Sequence, residues 1–153
     1  MEKIIKVRII YFIIMVLFLF GCRALNTSYT REDVSHKISN KFEKLTLGMD
    51  IEEVINYAGE PDRKRLVEYS VLNKTFLRND KTHIFYPEAF INDITNDTQI
   101  LFYNYPVEGD RITAFCLFLD RRGRLLGVSC SKKVLPKNWD DIKNNLNKIK
   151  NGA

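Results

Sequence analysis

Three cysteines and two histidines are the side chains best suited to covalent or acid–base chemistry in this 153-residue chain. Cys22 stands directly behind Gly21, at the end of a long apolar run. A thiol in that place follows the small residue that ends a leader-like segment. Cys116 and Cys130 flank Asp120-Arg121-Arg122-Gly123-Arg124, which reads as a hairpin tip. With Asp120 paired to Arg124, Cys116 opposes Val128 and sits diagonal to Cys130. A shift of one pair sets the two cysteines directly opposite. Both registers place the sulfurs on one face, because strand side chains alternate. The pair reads either as a cross-strand disulfide or as two buried thiols behaving as small hydrophobes.

The residues ahead of Cys22 have the order of a secretory leader. Lys3, Lys6 and Arg8 stand against one acid, Glu2, and Ile9 to Phe20 is a run of twelve uncharged residues. A basic n-region, an apolar h-region and a small residue at the end define such a signal. Leu19-Phe20-Gly21-Cys22 resembles a bacterial lipobox, with Phe20 bulkier than the residue usual at that place; the resemblance implies that the Cys22 thiol takes a diacylglycerol and that Cys22 becomes residue one of the mature chain. A spanning helix needs about 20 apolar residues to cross ~30 Å of hydrocarbon. The uncharged run through Cys22 is 14 residues, or roughly 21 Å of helix. An h-region therefore fits better than an uncleaved anchor.

Other chemistry is sparse. His36 and His83 have no ligand spacing, and no Gly-x-Ser-x-Gly, Walker or Rossmann pattern is present. Asp140 and Asp141 lie where the first turn of a helix favours acids. Asp93 and Asp97 share a loop without EF-hand spacing. No catalytic residue, metal site or cofactor is expected, and the chain reads as a non-enzyme. Removing residues 1–21 leaves 132 residues of net charge +3, enough for one domain and too weakly basic to argue for nucleic acid.

Residues 1–21 are thus expected as a signal, 22–29 as a lipidated tether, and 30–150 as one domain. Thr30 and Asp33 suggest a capping box before the stripe Val34, Ile38, Phe42, Leu45, which predicts a helix over 31–44. Asp50 caps a second helix bearing Ile51, Val54, Ile55 and Ala58. Gly59 and Pro61 punctuate its end. Strands are expected at 65–72, 99–105, 111–120 and 125–131, an irregular insertion at 73–97, and a last helix from Trp139 to about Lys150. Helices followed by hairpin-linked strands argue α+β: two amino-terminal helices on a three- to four-stranded antiparallel sheet, plus a carboxy-terminal helix. The helices should cover one sheet face and leave the other available.

Lys44-Leu45-Thr46-Leu47-Gly48-Met49-Asp50-Ile51-Glu52-Glu53-Val54-Ile55 with Gly59-Glu60-Pro61 resembles the signature of the SmpA/OmlA lipoproteins, the BamE-like family. Phe118-Leu119-Asp120-Arg121-Arg122-Gly123-Arg124-Leu125 is similar to that family's closing hairpin. The resemblance implies structural roles for Gly48, Met49, Val54, Gly59, Pro61, Asp120 and Gly123. It also implies a lipid-anchored protein on the periplasmic face of the outer membrane, with barrel-assembly components as partners. Related two-layer modules occur in β-lactamase-inhibitor-type proteins, so an exported hydrolase is the alternative partner. Arg121, Arg122 and Arg124 at the hairpin tip suit lipid headgroups or an acidic partner. Tyr103 and Tyr105 are expected to be more exposed than Phe102 and to offer a partner surface.

Overall fold

The computed structural model describes residues 28–67, 77–78 and 80–148. The signal, Cys22 and the tether up to residue 27 lie outside the described residues, as do 68–76 and 149–153. Among the described residues, three α-helices and a five-stranded antiparallel sheet form an α+β fold. Helix α1 is Arg31–Phe42, α2 is Ile51–Ala58 and α3 is Trp139–Leu146. The strands are β1 (Arg63–Leu66), β2 (His83–Tyr86), β3 (Gln99–Val107), β4 (Asp110–Leu119) and β5 (Leu125–Ser131), in the order β1-β3-β4-β5-β2.

Local chemistry explains the helix starts. The Thr30 hydroxyl accepts the Asp33 amide at 3.1 Å, and Asp33 accepts the Thr30 amide at 3.1 Å, a complete capping box. Asp50 accepts the amides of Glu52 and Glu53 at 3.1 and 3.0 Å. Gly59 closes α2 at φ +83°, where a Cβ would be strained and would stand 3.1 Å from Lys41 Nζ. Val34, Ile38 and Phe42 of α1, Val54 and Ala58 of α2, and Trp139, Ile142 and Leu146 of α3 are buried in one cluster. All three helices therefore cover the same sheet face.

The opposite face is also covered, contrary to the expectation that it stays free. Strand β2 comes from the expected insertion and adds a fifth strand, against β5. A 3-10 helix, Glu88–Asn92, follows it. Phe90, Ile91 and Ile94 then pack with Val67, Leu77, Ile100, Cys116 and Phe118 as a second buried cluster. The extra strand corrects the three- to four-stranded sheet. The reason is that Ile84, Phe85 and Tyr86 pair with β5, while the apolar residues after Pro87 have a bare sheet face to bury.

The cysteines are a second correction. Asp120 does pair with Arg124, its amide donating to the Arg124 carbonyl at 2.8 Å. Leu119 stands opposite Leu125, but Phe118 stands opposite Gly127, so Leu126 is an unpaired extra residue. This β-bulge reverses the facing of every residue beyond it. Cys116 faces Ser129 and belongs to the second cluster; Cys130 faces Phe115 and belongs to the helix-side cluster. Both are free, buried thiols, the second of the two readings the sequence left open, and they lie on opposite faces of the sheet rather than on one face.

Candidate functional site

Two sequence-distant segments meet at one end of the sheet. The Gly48 amide donates to the Leu125 carbonyl at 2.8 Å, and the Leu125 amide donates to the Met49 carbonyl at 2.8 Å. Asp50 and Arg124 continue this contact as an isolated antiparallel bridge. Gly48 sits at φ +84°, a conformation in which a Cβ is costly. Met49 is buried, and its sulfur accepts the Thr46 amide at 3.4 Å. Ile51 lies over Gly123, with Cγ2 3.5 Å from the place a Cβ would take. Asp120 Oδ1 accepts the amides of Arg122 and Arg124, both at 2.8 Å. The residues singled out as Gly48, Met49, Asp120 and Gly123 thus form one clamp between the α2 entrance and the β4–β5 turn.

The clamp holds Arg121, Arg122 and Arg124 out at the tip, where all three are exposed. Asp93, Thr95, Asp97 and Thr98 line a shallow cleft with them. Among the described residues, no ion pair holds any of the three guanidinium groups. The tip therefore carries cationic groups on a rigid turn, with unspent donors for carboxylate or phosphate oxygens.

Val54 is fully buried, and Gly59 joins the helices to the sheet through Tyr103. The Tyr103 hydroxyl donates to the Gly59 carbonyl at 2.9 Å, and its ring stacks on Phe115 at a centroid distance of 4.3 Å. Tyr103 is only 3% exposed, so the expectation of an exposed Tyr103 is wrong. Alternation sends Tyr103 to the helix face, where three helices cover it. Phe102 goes to the other face, half-buried under Arg63, whose guanidinium carbon lies 4.5 Å from the ring centroid. Tyr105 is half-buried against Tyr29, ring centroids 6.0 Å apart. Burial raises the phenol of Tyr103 well above its ordinary value, and that of Tyr105 in the same direction.

Lys41 was not singled out by the sequence, and His83 only as a histidine without ligand spacing, although each bonds a distant backbone carbonyl. Lys41 Nζ donates to the Ala58 carbonyl at the end of α2 and lies 5.7 Å from the Tyr103 ring centroid. Burial first, and then the Lys37 charge, lower its ammonium below the ordinary lysine value. A lysine among surface-type residues of a helix gives no sequence signal of such a role. His83 Nε2 donates to the Thr113 carbonyl at 3.1 Å, and its Nδ1 lies 2.9 Å from the Thr82 hydroxyl. Asp80 Oδ1 accepts that hydroxyl at 2.6 Å and the Thr82 amide at 2.7 Å. Burial raises the Asp80 carboxyl, but these bonds and His83 together hold it below the usual carboxylate range.

Burial pushes the thiols of Cys116 and Cys130 up to about 12. Both are protonated at neutral pH and are weak nucleophiles. Among the described residues, no group of three His, Cys, Asp or Glu side chains is placed to hold a metal ion. Among them also, no helix is long and apolar enough to cross a membrane. No family model, curated protein or solved structure matches the chain.

Proposed function

We propose that the chain is exported, acylated at Cys22 and held on the periplasmic face of an outer membrane, where it binds a protein partner without catalysing a reaction. The observation that carries this reading is the leader itself: a basic start, twelve uncharged residues, then Gly21-Cys22. The clamp between Gly48-Met49 and Leu125 supports a SmpA/OmlA-like module, because it joins the two segments that carry that resemblance. The protonated thiols and the structural bonds of His83 favour binding over catalysis. Barrel-assembly components are the first partner class, and an exported hydrolase is the alternative.

A crosslinker placed at Arg122 in living cells separates the two. Capture of outer-membrane assembly components supports the first class, and capture of a soluble peptidase or lactamase supports the second. Deleting the gene should make the outer membrane more permeable to large polar antibiotics. Unchanged permeability contradicts a role in assembly.

A further inference from the structure

The way the tether leaves the domain fixes which end of it can face lipid. Ser28 and Tyr29 are stapled to the β3–β4 turn. The Tyr29 amide donates to the Pro106 carbonyl at 2.9 Å, and the Glu108 amide donates to the Tyr29 carbonyl at 3.1 Å. The Gly109 amide donates to the Ser28 hydroxyl at 3.0 Å, and Arg31 pairs with Glu108 at 2.9 Å. The exit point is therefore level with Val107 and Asp110, at one end of β4. The tip bearing Arg121, Arg122 and Arg124 lies beyond the other end, at Leu119.

Distances then decide. Cys22 precedes Tyr29 by seven residues, a stretch that can reach at most about 25 Å. Strand β4 is ten residues long, about 30 Å from the turn to the tip at the usual strand rise. A domain standing on its arginine tip would hold Tyr29 farther from the bilayer than the tether reaches. The turn end, in contrast, is always within reach. At that end Tyr29 and Tyr105 present half-buried phenols, Lys37 Nζ lies 3.7 Å from the Tyr29 ring centroid, and of the two exposed acids, Glu108 and Asp110, the first is paired with Arg31. Amphipathic aromatics and long cations are the residues that settle at a headgroup layer.

We propose that the acylated protein meets the bilayer with the Tyr29 and Val107–Asp110 end, and that the Arg121, Arg122 and Arg124 tip points away from lipid toward a protein partner. This orientation rests on the acylation of Cys22 proposed above. It reassigns the arginine tip from lipid headgroups, one of the two contacts its charge suits, to the acidic partner.

The test is a height measurement on the mature chain. Asp110 or Arg122, both exposed, is replaced by p-azidophenylalanine and given a dye. The chain is bound to liposomes of phosphatidylethanolamine and phosphatidylglycerol carrying headgroup acceptors. Energy transfer should place the Arg122 dye about 30 Å farther from the bilayer than the Asp110 dye. Equal heights, or a lower Arg122 dye, would overturn the orientation. A maleimide lipid coupled to Cys22 keeps the test independent of cellular acylation, since Cys116 and Cys130 are buried. A bare Cys22 in cells would refute the proposed function while this experiment still reports the orientation.

Discussion

The ring of Phe90 occupies the space that a side chain on Gly127 would need. A Cβ built on Gly127 would stand 2.3 Å from Phe90 Cδ1 and 2.5 Å from Cγ. The 3-10 helix after β2 is thus keyed into β5, and the second sheet face is closed by the chain itself. Gly127→Ala should cost ~1–3 kcal/mol through overpacking. In a Phe90→Ala background the same change should cost little, and urea unfolding of the four variants measures the coupling. Additive costs would contradict the keyed packing.

Cys116 and Cys130 should carry free thiols in the native protein. Iodoacetamide should leave both unmodified at pH 8 until denaturant is added, because burial holds them protonated, at about 12. Reductant should leave the Tm unchanged. A native mass two hydrogens light, restored by reductant, would contradict the opposite-face register.

Lys41 gives a pH signature. Its folded-state titration is lowered by burial and by Lys37, so the folded chain releases this proton before the unfolded chain does. Between the two titrations the unfolded state binds more protons, and stability rises with pH. Relative to Lys41→Met, the wild-type Tm should therefore climb as pH approaches the ordinary value of 10.5. A difference that stays flat or falls contradicts the half-buried ammonium bonded to Ala58.

Asp120→Ala removes the acceptor for two turn amides and should lower stability by about 1 kcal/mol. Arg122→Glu, at an exposed position, should change stability by no more than ~0.5 kcal/mol. If the tip is the partner surface, Arg122→Glu should nonetheless abolish crosslinking at the tip, read with a crosslinker at Arg121. A tip that tolerates charge reversal with its partner still captured is not that surface.

The helices were legible because their signals are local: Thr30 and Asp33, Asp50, Gly59 and Pro61 act within one turn. The β4–β5 hairpin was legible from Asp120 and Gly123 for the same reason. What escaped depends on single extra residues and long-range contacts. The bulge at Leu126 reversed the facing of Cys130, and nothing in the local sequence marks it except the neighbouring Gly127. A glycine inside a strand is a sign of a bulge or a close approach, and here it marks both. The insertion hid β2, because His83-Ile84-Phe85-Tyr86 is short and gains its partner only from β5. Tyr103 was misjudged because alternation says which residues share a face, not which face the helices cover.

The most direct measurement is the intact mass of the protein purified from the membrane of the producing cell. The account predicts a chain that begins at Cys22 and carries the mass of a diacylglycerol with an additional acyl chain, with the mass lost in Cys22→Ser. A full-length chain still beginning at Met1, with an unmodified Cys22, would contradict it.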